Sequence, residues 1–203
     1  MSAADGIGVS ILLARHGETE WNRVGRWQGT TDIPLSDVGR AQARALGERL
    51  RGAGIARVHA SQLARARETA EIVAGVLGLD GPVGVDARLQ ERGYGCFEGL
   101  TREECETRHP EAWQRYLADR RAVPPDAEPQ AVVVARAAAA MRAIAEGAPA
   151  DTGAARPVLV ISHGGTIRTF VHAELGMLLP PLDNGAVFRL RFQGERFVSI
   201  EPL

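Results

Sequence analysis

The sequence predicts an α/β protein: a three-layer α/β/α sandwich with a mostly parallel central sheet and a C-terminal antiparallel edge hairpin, in a single domain spanning 1–203. Three observations carry that expectation. Strand-like and helix-like segments alternate along most of the chain, which is the order of an α/β layer architecture. Two unbroken apolar runs, ILLA at 11–14 and VLVI at 158–161, have no polar face and so suit strands covered on both sides. Finally, AVFRLRF at 186–192 and RFVSIE at 196–201 alternate in polarity around Gln193 and Gly194, the pattern of a hairpin.

The elements follow in order. The run from Val9 to Ala14 is a central strand that Arg15, His16 and Gly17 bring to an end. After an irregular stretch over 25–34, Ser36 can cap a helix whose apolar positions Val38, Ala41, Ala45, Leu46 and Leu50 repeat at the helical period up to Gly52. A short strand over 56–59 comes next, then a helix capped by Ser61 that ends at Gly78. Residues 80–100 are Gly-rich and irregular. Thr101 with Glu104 forms a capping box opening a helical insertion over 101–129, interrupted at Pro110, which is expected to lie over the candidate active site. An alanine-rich helix over 130–146 presents Val133, Ala137, Ala140, Met141 and Ile144 as one stripe and stops at Gly147. The small-residue loop over 147–157 reads as mobile, and a helix from about Thr166 to Leu175 follows the strand at 158–161. Arg189 and Arg191 alternate along the hairpin, where they can protect its edge from pairing.

Composition narrows the chemistry. All 24 cationic side chains are arginine, against 25 anionic ones. With no lysine there is no Schiff-base lysine, no P-loop lysine and no kinase strand lysine. Near-neutral charge gives no reason to expect a nucleic-acid or membrane partner. Cys96 and Cys105 match no zinc or redox spacing. The N-terminal apolar stretch is too short for a span and lacks a basic leader, so the expected location is cytoplasmic, with both thiols free. The chain is expected to be a monomer or homodimer.

Function is concentrated at two histidines. Both apolar runs lead into a His-Gly step, at His16-Gly17 and His163-Gly164. Sites in open α/β sheets form outside the carboxyl ends of strands, so these rings can converge, with each glycine allowing close backbone approach to a ligand. Arg15 adjoins His16, and Arg65 stands at a strand-to-helix junction where a helix N-terminus also favours anions. Two arginines beside a neutral histidine make an anion pocket suited to a transferring phosphoryl group. His59, His109 and His172 read as ordinary core or surface residues. The histidines lack a clustered carboxylate and any metal-ligand spacing, so no metal is expected.

These residues resemble the histidine phosphatase superfamily, in its phosphoglycerate-mutase-like branch. The likeness rests on Arg15-His16-Gly17-Glu18-Thr19 with Trp21-Asn22, then Ser61-x-Leu63-x-Arg65-Ala66, then Glu91-Arg92-Gly93-Tyr94-Gly95 and Phe97-Glu98-Gly99-Leu100-Thr101, then Ser162-His163-Gly164-Gly165. It covers nearly the whole chain. The resemblance implies that His16 is the nucleophile of a phosphohistidine intermediate and that Arg15, Arg65 and His163 form the phosphate pocket. It implies that Glu91 is the general acid and base, with Asn22, Thr19, Arg26, Gly29, Arg92, Tyr94, Arg102 and Gly164 contacting substrate. Trp21 and Trp27 can line the entrance, and Arg115 can join the specificity residues.

Superfamily members include hydrolases and mutases. Tyr94 in its Glu91-to-Gly95 context, and Arg102 where the mutases carry lysine, favour a mutase that would need 2,3-bisphosphoglycerate. A shorter insertion with Trp113-Gln114-Arg115 in place of paired arginines, Gly165 where the mutases carry asparagine, and an end at Leu203 without a covering tail oppose it. The expected activity is therefore cofactor-free hydrolysis of a small phosphomonoester, a sugar phosphate or a phosphoglycerate-like compound. The alternatives are a mutase and a non-catalytic phospho-ligand binder.

Overall fold

In the computed structural model, which describes residues 9–119, 122, 124–147, 156–193 and 196–203, the apolar runs are adjacent strands. The elements are β1 (Val9–Arg15), α1 (Glu20–Arg23), α2 (Asp37–Arg49), β2 (Arg57–Ala60), α3 (Ala64–Leu77), β3 (Gly84–Val85), α4 (Arg102–Arg108), α5 (Pro110–Ala118), α6 (Gln130–Glu146), β4 (Val158–Ser162), α7 (Gly164–Leu175), β5 (Val187–Gln193) and β6 (Arg196–Pro202). They form one six-stranded sheet in the order β3-β2-β4-β1-β5-β6. The first four strands are parallel to one another, β5 runs antiparallel to β1, and β6 antiparallel to β5.

The period-two geometry of a strand explains why those runs are apolar throughout. Leu12, Ala14, Leu159 and Ile161 pack on one face with Leu46 of α2 and Ala66, Ala70 and Val73 of α3. Their neighbours Ile11, Leu13, Val158 and Val160 pack on the other with Ala137, Met141 and Ile144 of α6 and Ile167 and Phe170 of α7. Each buried Val, Leu, Ile, Met or Phe side chain among them contributes about 1.5–3 kcal/mol, so helices on both faces are a requirement of the sequence. A third, smaller core of Phe97, Leu100, Cys105, Ala112 and Trp113 holds α4 and α5 together. Burial pushes the Cys105 thiol up to about 11, and Cys96 and Cys105 are both free.

Local signals act largely as expected. Ser36 accepts from the Gly39 N–H at 3.0 Å, Thr101 and Glu104 form the capping box, and Gly78 adopts the left-handed conformation (φ 67°) that ends α3. Several expectations are corrected. Leu63, not Ser61, is the N-cap of α3 and makes no side-chain cap bond. Ser61 instead accepts from the Leu63 N–H, and Asp32 takes the Ala64 N–H at 2.6 Å. The last helix begins at Gly164, directly after His163, because a carboxylate from elsewhere satisfies its first N–H groups. Gly147 ends α6 at an ordinary φ of −83°. Arg189 and Arg191 lie on an interior strand facing Glu201 of β6 at 3.9 and 3.8 Å, so the sheet edges are β3 and β6. The two-residue β3 and four-residue α1 are too short to leave a periodic signal. Most of the loop read as mobile (148–155) and the hairpin turn at 194–195 lie outside the described residues.

Gly17 serves packing rather than ligand approach. A Cβ there would run into the Gly39 carbonyl, and one on Gly39 would run into the Glu18 carbonyl, so the first turn of α2 lies directly against the backbone that follows β1. Both obstacles are main chain and cannot swing aside. Gly39→Ala is expected to cost about 1–3 kcal/mol through overpacking, read as a lower urea midpoint at unchanged m-value.

Candidate active site

Parallel pairing brings Arg15 opposite Ser162, and the His16 N–H continues the ladder to the Ser162 carbonyl at 3.0 Å. His16 and His163 therefore leave the sheet side by side, with ring centroids 5.0 Å apart and planes tilted by 58°. Both are buried. His16 Nδ1 lies 2.6 Å from the Gly17 carbonyl, which accepts its proton and leaves Nε2 with the lone pair. Among the described residues neither ring nitrogen of His163 has a partner. Burial, then the positive charges of Arg15 and Arg65, hold the His16 pKa well below its ordinary value. Burial, Arg65, His16 and Arg15 do the same to His163. Both rings are neutral at pH 7.

The two arginines are held by carbonyls. Arg65 is fully buried and donates from Nη1 to Thr31 O and from Nη2 to Gly29 O, both at 2.8 Å. Gly29, at φ +52°, makes the left-handed turn that presents its carbonyl. Arg15 donates to the Leu182 carbonyl. Burial draws both guanidinium pKa values down, with Glu91 opposing, and arginine stays charged regardless. Neither has a carboxylate partner among the described ion pairs, and the Nε of each is buried without an acceptor. Two desolvated cations without a counter-ion are costly unless an anion binds between them.

Glu91 stands on the opposite side, 8% exposed. Its carboxyl group accepts from Gly165 N (3.0 Å), Thr166 N (2.8 Å), Thr166 Oγ1 (3.1 Å) and Arg92 N (2.8 Å), so it satisfies the first N–H groups of α7. Gly165 is needed here: a Cβ would run into the Tyr94 hydroxyl and lie 2.7 Å from Glu91 Oε1. Burial and Glu91 push the Tyr94 pKa well above its usual value, so that hydroxyl keeps its proton as a donor.

His16, Arg15, Arg65, Glu91 and Gly165 line one cleft of about 910 Å³ with Asn22, Gly29, Arg26, Arg92, Tyr94, Arg102 and Gly164, while His163 is fully buried beside His16 and is not among the lining residues. Arg26 is paired with Glu104 at 2.6 Å. Buried Arg92 donates from Nε to Glu128 O and keeps Nη2 without a partner. Trp27 packs against Tyr94 and Tyr116 at 4.7 and 5.4 Å, and Val24, Leu178, Leu179 and Pro181 add apolar lining to the cleft. Among the described residues no three His, Cys, Asp or Glu side chains are grouped to hold a metal, and no helix is long and apolar enough to cross a membrane.

Thr19, by contrast, is fully buried and does not line the cleft; it donates from N and Oγ1 to Asn22 Oδ1, which holds the amide in place. Arg115 is exposed on α5 away from the cleft, whereas His172 lies on the cleft wall. Sequence reasoning missed Gln28, which lines the cleft with a buried, unpartnered Oε1. It also missed Arg168, on the helical face one turn after Gly164, and Asn184, which donates to His16 O at 3.0 Å and to Asn22 Oδ1 at 3.3 Å. Only Arg168 had a readable signal, its position one turn into the helix behind the second His-Gly step.

Comparison with known proteins agrees with this geometry. The profile of the histidine phosphatase superfamily (branch 1) matches residues 11–201. The chain is 38% identical over 178 residues to a probable phosphoglycerate mutase of Salmonella arizonae, covering 83% of this chain and 76% of that one. It is 35% identical over 180 residues to a glucosyl-3-phosphoglycerate phosphatase of Mycolicibacterium vanbaalenii, covering 87% and 77%. A solved mycobacterial glucosyl-3-phosphoglycerate phosphatase in complex with VO3 superposes with a TM-score of 0.83 at 29% identity, over 96% of this chain and 97% of that one.

The neutral histidines have a consequence for stability. Their folded pKa values lie below the unfolded value of about 6.5, so below that pH the unfolded chain takes up protons the native state refuses. Stability should fall as pH drops from about 6.5, by up to roughly 1 kcal/mol per pH unit for each ring. Urea midpoints between pH 7.5 and 5.5 check this, and His163→Gln should flatten the slope.

Proposed function

Because the chain belongs to the histidine phosphatase superfamily, we propose that it is a phosphatase that hydrolyses a small phosphomonoester through phosphorylated His16. The observation that carries this reading is the set of buried donors without protein acceptors, Arg15 Nε, Arg65 Nε and the His163 ring, around a neutral His16 whose Nε2 is free to attack. In the first step the Nε2 lone pair attacks phosphorus as the ester P–O bond breaks, and protonated Glu91 delivers its proton to the leaving oxygen. Arg15, Arg65 and His163 offset the charge on the phosphoryl oxygens. In the second step water attacks the phosphohistidine, ionised Glu91 takes its proton, and the N–P bond breaks to restore neutral His16. Neither step calls for a metal ion.

Arg92, Tyr94, Arg102 and Arg26, with segment 101–129 as a cap, are the residues we assign to the leaving group. The relative named as a glucosyl-3-phosphoglycerate phosphatase supports a sugar phosphate or phosphoglycerate-like substrate. Hydrolysis is preferred over transfer because the cleft mouth is open: Leu178 and Val24 on its wall are 81% and 42% exposed, whereas a mutase must shield its phosphoenzyme from water. The mutase reading is favoured by Tyr94 and Arg102 on the cleft wall and by the relative named as a probable phosphoglycerate mutase.

Purified protein in EDTA is expected to release phosphate from a panel of phosphomonoesters and to form an acid-labile phosphoprotein on quenching. His16→Ala should abolish both, and Glu91→Gln should lower kcat about 10²-fold or more. Isomerisation of 3-phosphoglycerate stimulated by 2,3-bisphosphoglycerate without net phosphate release would establish the mutase instead. Absence of both turnover and phosphoprotein would leave a binder.

A further inference from the structure

We propose that Arg136, on α6 and outside the cleft, is a positioning residue that fixes the main chain of Glu91 and thereby aims its carboxyl group at the leaving oxygen. The proposal rests on the reading of Glu91 as proton donor.

Glu91 lies in a stretch with no strand or helix ladder to place it, between a single 3-10 turn at Ala87–Leu89 and the isolated bridge of Tyr94 with Ala127. Side chains supply the missing order: Ser162 Oγ donates to Leu89 O and Thr166 Oγ1 to Gln90 O, both at 2.8 Å, and one guanidinium on α6 reaches the carbonyls of three residues. Arg136 donates from Nη1 to the carbonyls of Arg88 (2.8 Å) and Gln90 (2.7 Å) and from Nη2 to that of Glu91 (3.2 Å). Its Nε and Nη2 also grip the two oxygens of Glu128 at 2.8 and 2.9 Å. All five donors of the fork are therefore committed, with the side chains of the pair only 13% and 17% exposed. Glu128 extends the clamp: its carboxylate takes the Gly93 N–H at 3.3 Å, its own N–H donates to Gly93 O at 2.8 Å, and its carbonyl takes Arg92 Nε at 3.0 Å.

Glu91 is thus held at both ends, its backbone by α6 through Arg136 and its carboxylate by the first turn of α7. Those helices pack together in one core layer, so the two anchors keep a fixed separation. A planar fork with five donors suits this task, and a lysine ammonium, a single point with three donors, does not.

Positioning of a proton donor has a chemical signature that a general structural role lacks. An alkoxide leaving group needs the proton, while p-nitrophenolate departs without it, and kcat/KM reports the step in which the P–O bond breaks. Arg136→Ala is expected to lower kcat/KM for β-glycerophosphate by about 10–100-fold, the scale of an ångström-sized misplacement of a catalytic group. For p-nitrophenyl phosphate, kcat/KM and the inhibition constant of vanadate should stay within about threefold of wild type. An equal loss on both esters, or no loss on either, overturns the proposal. Arg136→Lys, which keeps the charge but not the fork, should show a smaller selective loss and is read by the same criteria if the alanine variant does not fold. If the wild-type protein hydrolyses neither ester, the phosphatase reading is decided by the wider phosphomonoester panel and the phosphoprotein assay. Arg136 is then judged by amide hydrogen exchange: faster exchange at Gly93, Gly165 and Thr166 in the variant upholds the clamp, and unchanged exchange removes it.

Discussion

The parallel pairing of β1 with β4, in a register that sets Arg15 opposite Ser162, is the constraint from which the site follows. Because side chains alternate along a strand, a slip of one residue would exchange the two faces and send half of each apolar run against the wrong helices. The hydrophobic cores on the two sides of the sheet therefore fix the register, and the register fixes how far apart His16 and His163 can be. The spacing of the two histidines is a by-product of core packing, which makes it insensitive to the loops around it.

What the sheet cannot supply is compensation for charge. Arg15 and Arg65 are removed from water without a carboxylate partner among the described residues, and the structure holds them with backbone carbonyls of Leu182, Gly29 and Thr31. Carbonyl dipoles orient a guanidinium without neutralising it, so the positive potential remains directed at the cleft. A carboxylate partner would have stabilised the empty protein and competed with any phosphate for the same fork. Burial first, and then the same potential, keep His16 and His163 unprotonated, so the pocket built for an anion also leaves the His16 ring with a free lone pair.

The share of this that was legible in the sequence has a physical pattern. The strands β1 and β4, the two histidines and the caps at Ser36 and Thr101 are encoded by contiguous residues, and so could be read locally. Arg65 was readable through its junction position, though the cap assigned to its helix was wrong because Asp32, distant in sequence, satisfies the first turn. Glu91 is chemically indistinct from any loop glutamate and emerged only through the resemblance. Arg136 and Asn184 act on backbone carbonyls 45–168 positions away, Gln28 Oε1 has no partner among the described residues, and no local pattern marks such residues. Thr19 was assigned to substrate yet holds Asn22, a distinction that depends on which way a side chain faces.

The short contact between His16 Nδ1 and the Gly17 carbonyl bears on more than orientation. It selects one tautomer before any substrate arrives, so only one of the two ring nitrogens can receive phosphorus. The regiochemistry of the phosphorylated intermediate in the proposed reaction is thereby written into the main chain: the Nε2-linked isomer forms and the Nδ1-linked isomer does not. Since the acceptor is a backbone carbonyl next to a tightly packed glycine, no side-chain substitution at position 17 can remove that preference without first disturbing the turn itself.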